Sequence, residues 1–139
     1  MHNRHPLIHC ITNYVSINDC ANIVLACGGA PIMAEDINEV SQITSICQGL
    51  DINIGMLNDN KLSSMLKAGA TANELGIPVI LDPVGAGSSD YRIKAVQNLM
   101  SNVQFGVIRG NVSEIKAIAA KQGIHNIAAG VYETCLLYT

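Results

Sequence analysis

The chain has 139 residues, enough for one domain or a piece of one. Its apolar fraction of 49% can fill a core, while its charged fraction of 14% is well below the ordinary ~25%, so part of the surface is expected to lie against another subunit or further polypeptide. A net charge of −3 argues against a nucleic-acid binder, and no apolar run approaches the ~18 residues of a membrane span; five cysteines that read as reduced make a cytoplasmic protein the expectation.

In chain order, the first informative stretch is "HCITNYVSINDCAN", residues 9–22. It is polar where a helix beside a core should be apolar. Thr12 and Asn13 either bind something there or cap the helix that follows. "NDCANIVLACGG" reads as a helix stopped by Gly28 and Gly29, residues free to take positive φ. "APIM" is a short strand ending at Met33. "EDINEVSQITSICQG" puts Val40, Ile43, Ile46 and Cys47 on one helical face, with Asp36 as N-cap, Glu39 three residues on and Gly49 as the stop.

"LDINIG" is the next strand. "KLSSMLKAGATANELG" is a helix with Leu62, Met65, Leu66, Ala72 and Leu75 inward and Gly76 ending it. "PVILD" is a buried strand, "YRIKAVQNLMSN" a helix, "QFGVIR" a strand and "VSEIKAIAAKQG" a helix. Alternating strands and helices at this spacing predict βαβ units and a parallel sheet. Ligands of such sheets sit outside the carboxyl ends of the strands. Those ends carry Met33, Asn53-Ile54-Gly55, Asp82-Pro83-Val84-Gly85 and Arg109-Gly110-Asn111, so one rim should collect them all.

Asp82, at the end of an apolar strand, is either a magnesium ligand or a cap for loop amides, since hard cations take carboxylate oxygens. "GAGSS" after it lacks the lysine of a P-loop and is weak by itself. Arg109 suits a phosphate, whose oxygens its fork can bind in pairs, or forms an ion pair with Asp82 or Glu114. Asn111 and Glu114 make an Asn-x-x-Glu that fits a capping box or, with Asp82, one magnesium. Five cysteines without a CxxC pair read as reduced residues, with Cys20, Cys27 and Cys47 in the core. His2, His5, His9 and His125 have no metal-like spacing to a Cys or carboxylate.

Five segments, "PLIHCITNYV", "ANIVLACGGAPIMAE", "INIGMLN", "ANELGIPVILDPVGAG" and "VIRGNVSEI", run in order, and on them the chain resembles, from Pro6 to about Ala120, the hydroxyethylthiazole kinases of the ribokinase-like superfamily. The resemblance implies a three-layer α/β/α ribokinase-like fold with a mainly parallel sheet, here truncated. Residues 1–121 correspond to the N-terminal part of the family's domain, and 122–139 to a divergent or truncated tail. It implies ATP-dependent phosphorylation of the hydroxyl of 4-methyl-5-(2-hydroxyethyl)thiazole in thiamine biosynthesis or salvage, with ATP as co-substrate and Mg²⁺ as cofactor. Met33, and with it Asn13 and Gly55, would border the thiazole. Arg109 and Asn111 would contact the nucleotide, and Asp82 and Glu114 would serve the metal. The family's general base lies in its second half, so no catalytic residue is assigned here. A homotrimer with shared active sites is implied. The alternative is a catalytically inactive fragment that binds the thiazole or a partner subunit.

Overall fold

The computed structural model describes residues 5–121 and, for the backbone, 135–138. Five parallel strands form the sheet: β1 (Leu7–Ile11), β2 (Ala30–Ile32), β3 (Gly49–Asn53), β4 (Val79–Asp82) and β5 (Val107–Gly110). A sixth, β6 (Cys135–Tyr138), runs antiparallel beside β5, and the spatial order is β2-β1-β3-β4-β5-β6. The remainder of the tail expected at 122–139 lies outside the described residues. Between the parallel strands run α1 (Ile17–Ala26), α2 (Val40–Ile46), α3 (Asp59–Glu74) and α4 (Asp90–Asn102), and α5 (Val112–Lys121) follows β5.

The chain folds outward from β1 in two directions, to β2 on one side and through β3 to β5 on the other. Right-handed crossovers therefore place α1 on the sheet face opposite α2 to α5. The reversal leaves a crevice between the carboxyl ends of β1 and β3, the position where open α/β sheets hold ligands.

The two faces differ in composition because side chains alternate along a strand. Ile11, Ile52, Leu81 and Ile108 stand in one register row across four strands and are buried. With Leu50, Val79, Met65, Val96, Leu99 and Ile115 they form the core under α2 to α5. On the other face, Ile80 of central strand β4 remains 42% exposed. No residue of α1 is buried, so among the described residues this face is only thinly covered.

Several local readings change. Asp36 does not cap α2: its carboxylate accepts from the Asn38 backbone and side chain, making a separate turn, and α2 starts four residues later with Glu39 as N-cap. The Asx turn competes successfully for the same backbone. Gly49 is the first residue of β3 rather than a helix stop, since α2 already ends at Ile46. Ile46 and Leu75 are exposed because each sits at the last turn, beyond the core's edge. Cys27, the C-cap residue of α1, is exposed, unlike Cys10 and Cys47, which are buried. Gly28 and Gly76 follow α1 and α3 with φ of 85° and 67°, as their reading as helix stops requires.

Candidate active site

All five parallel strands end at one edge, so the rim expected from sequence exists. Asn53, the last residue of β3, is its centre. It is buried because Asn13 and Gly55 close over it. Its Oδ1 accepts from Gly55 N (2.8 Å) and from Asn13 Nδ2 (3.2 Å), while its Nδ2 donates to Asp82 Oδ2 (2.9 Å). A single amide, with donor and acceptor ends, thus joins β1, β3 and β4. At Gly55 a Cβ would lie 2.9 Å from the Asn13 and Asn53 side chains, so only glycine allows this approach.

Asn13 stands three residues before Ser16, the N-cap residue of α1, and bonds to it and to the centre of the rim. Its Oδ1 accepts from Ser16 N and Oγ at the entry to α1, while its Nδ2 faces Asn53. Met33, directly after β2, is partly exposed at the sheet edge, two strands from β3.

At the other end of the rim, Arg109 pairs with Asp82 at 3.3 Å, yet its side chain is 56% exposed and open to another anion. Glu114 and Asn111 form the capping box: Glu114 N donates to Asn111 Oδ1 (2.9 Å) and Asn111 N to Glu114 Oε2 (2.8 Å). Glu114 Oε1 also accepts from Gly85 N (2.9 Å), which holds the loop after β4 against α5. Gly85 has φ 66°, so that loop needs the glycine. Substituting Glu114→Gln replaces one of these two acceptors by a donor. The expected loss is about 1–2 kcal/mol, read as a lower urea midpoint with unchanged slope.

Burial holds the Asp82 carboxyl above its ordinary range; the Arg109 guanidinium pulls it back down, and the Glu114 carboxylate pushes it up. A cation between the two carboxylates would relieve that repulsion. Asp82 Oδ2 is engaged by Asn53 and Arg109, and Oδ1 has no hydrogen bond among the described residues. Glu114 retains lone pairs beyond the two amides it accepts. These donors fit magnesium, which takes one or two carboxylates and completes its shell with water and phosphate oxygens. Among the described residues no group of three or more His, Cys, Asp or Glu could hold a metal, so a closed all-protein site is not formed.

Asp51, two residues before Asn53 and on the same sheet face, is pushed up to about 6, chiefly by burial and then by the charge of Asp82. An acid whose native pKa lies above its unfolded value of 3.8 binds its proton more tightly when folded. Stability should therefore fall as pH rises from 4 to 6, by about 2 kcal/mol, and Asp51→Asn should remove that slope. Thermal melts of both proteins across this range check it.

Two residues of the rim have no counterpart in the sequence reading. Arg92 of α4 donates to the carbonyls of Ile54 (2.6 Å), Val84 (2.9 Å) and Gly55 (2.9 Å), tying the loops after β3 and β4 together. Lys61 of α3 is buried and reaches the loops after β1 and β2. The sequence places Asn53 on the rim without singling it out; an amide set between the apolar Ile52 and Ile54 is the available signal. His9, fully buried, belongs to none of this: its ring bonds Thr44 Oγ1 and Ala34 O, each at 2.8 Å, and burial lowers its pKa.

A family model described as "Hydroxyethylthiazole kinase family" matches residues 1–133. The chain belongs to the hydroxyethylthiazole kinase family. It is 64% identical over 120 residues to a hydroxyethylthiazole kinase of Clostridium acetobutylicum, a match covering 86% of this chain and 44% of that one. The solved structure of a hydroxyethylthiazole kinase from Pyrococcus horikoshii superimposes with a TM-score of 0.83 at 41% identity, over 86% of this chain and 47% of that one. The chain thus spans less than half the length of these relatives. A receiver domain of a Pseudomonas aeruginosa sensor histidine kinase, with TM-score 0.55 and 12% identity, shares the fold alone. Among the described residues no helix is long and apolar enough to cross a membrane.

Proposed function

We propose that this chain forms the acceptor- and phosphate-binding part of an ATP-dependent kinase acting on the hydroxyl of 4-methyl-5-(2-hydroxyethyl)thiazole, a step of thiamine biosynthesis or salvage. The observation that carries the reading is the division of the rim on either side of Asn53, in a chain of this family. On the β1–β2 side lie Asn13, Gly55 and Met33, a mixed polar and thioether surface suited to a small heteroaromatic alcohol. On the β4–β5 side lie Asp82, Arg109, Asn111 and Glu114, suited to a triphosphate and its magnesium. Met33 and Arg109 are separated by four strand positions, roughly 19 Å at ~4.8 Å per strand, room for an acceptor and a phosphate chain placed end to end.

Phosphoryl transfer depends mostly on alignment and charge neutralisation. Arg109 would bind nucleotide phosphate with the donors that Asp82 leaves free. The first turn of α5, with Asn111 at its cap, presents backbone N–H groups and a positive dipole end to the same charge. Asp82 and Glu114 would hold magnesium, which when bound offsets phosphate charge. Asn53 fixes the acceptor side relative to the carboxylate side.

A homotrimer in the cytoplasm completes the reading. Tyr14, Val15 and Met56 are exposed apolar residues beside Asn13 and Gly55, and a second copy covering them would also wall the acceptor pocket. Free cysteines suit a reducing compartment.

Titrating Mg·ATP into the chain and its Arg109→Ala variant tests the assignment of the two ends. The variant should bind nucleotide about tenfold more weakly, as loss of a charge-assisted contact implies, with thiazole affinity unchanged. Equal nucleotide binding by both proteins would contradict the assignment.

A further inference from the structure

Lys61 is in an electrostatically poor place. It is the third residue of α3, whose N-cap is Asn58, and a cation in the first turn opposes the helix dipole. It is also only 4% exposed, where an ammonium group costs several kcal/mol unless paired. The residues that follow on the same helix face are Ser64, Met65 and Ala68, all buried, so a Met or Leu at position 61 would satisfy the packing.

The charge has three contacts on the rim. Nζ donates to the carbonyl of Thr12 at 2.5 Å and pairs with Glu35 at 2.9 Å. It also lies 4.6 Å from the centre of the Tyr14 ring, within cation–π range. The Tyr14 hydroxyl closes the circuit by donating to Glu35. Thr12 and Tyr14 flank Asn13, and Glu35 is two residues from Met33.

We propose that Lys61 is a positioning residue for the acceptor half of the rim: its ammonium group pins the loop after β1 to the loop after β2 and so sets the spacing between Asn13 and Met33. The inference rests on the reading of that half as the thiazole-alcohol pocket. The pinning itself is a property of the ligand-free protein and can be measured without it.

Lys61→Met is compared with Lys61→Arg and with the uncharged pair Lys61→Met/Glu35→Gln, which leaves no orphaned carboxylate if the single variant folds poorly. In ligand-free samples the Met33 methyl and Asn13 side-chain amide resonances should move or broaden in both proteins that carry Lys61→Met, while the Ile108 methyl stays in place. Thiazole-alcohol affinity should fall at least tenfold in both, Mg·ATP affinity should stay within twofold, and Lys61→Arg should recover part of the loss. A merely structural lysine would lower the melting temperature without separating the two affinities. Unchanged Met33 and Asn13 signals in the variants overturn the proposal. If those signals move but the wild-type chain binds no thiazole alcohol, the pinning stands and the assignment of the pocket fails.

Discussion

Replacing Arg92 by Met is expected to destabilise the protein by about 3–5 kcal/mol and to loosen both loops of the central rim. The guanidinium donates to three carbonyls on two loops, and Ile54, one of the residues supplying them, is fully buried. Met matches the aliphatic stem of Arg but offers no donor, so the carbonyls lose their partners while the packing is kept. Charge-assisted hydrogen bonds are worth about 1.5–3 kcal/mol each, and the total is less than their sum because the three share one group. Urea unfolding gives the energy. Hydrogen exchange gives its location: protection should drop over residues 54–58 and 83–89 and persist in the core strands. Lys at the same position should recover only part, since an ammonium lacks the planar fork that spans two loops.

Asn53→Leu is the second large effect, about 2–4 kcal/mol. The substitution keeps the volume of a buried side chain and removes both ends of its amide. Gly55 N and Asn13 Nδ2 lose their acceptor, and Asp82 loses one of the donors that hold its carboxyl down against burial. The loss of stability should therefore be accompanied by a rise in the pKa of Asp82, seen as a shifted ¹³C carboxyl titration. Asp at position 53 separates shape from hydrogen bonding. It keeps the acceptor for Gly55 but sets a carboxylate against that of Asp82, and it should be at least as damaging at neutral pH. A stable Asn53→Leu protein with an unmoved Asp82 titration would remove Asn53 from the centre of the site.

The strand–helix alternation is legible because each strand from β2 to β5 is an apolar run bounded by glycine or proline, and each long helix carries a 3.6-residue stripe; β6 lies in the stretch expected to be a divergent tail and carries no such boundary. β1 is not legible as a strand, since "LIHCI" carries a histidine whose two hydrogen bonds make it a core residue. The strand-end polar residues were legible as well: Asp82, Arg109 and Glu114 do meet near one edge. Residues whose role depends on reaching across elements were not. Arg92 and Lys61 sit within ordinary helix patterns, and their sequence spacing says nothing of the carbonyls they meet 37 and 49 residues away. Asp36 shows the reverse case, a good capping signal diverted by a neighbouring Asn into a local turn.

The proposed function requires the β1–β2 side of this rim to recognise the thiazole alcohol. Isothermal titration of 4-methyl-5-(2-hydroxyethyl)thiazole into the purified chain, without nucleotide, tests it most directly. Saturable binding at one site per chain is expected, weakened about tenfold or more by Asn13→Ala and by Met33→Ala and unaffected by Arg109→Ala. No saturable heat, or tighter binding of a hydroxymethylpyrimidine than of the thiazole, would contradict it.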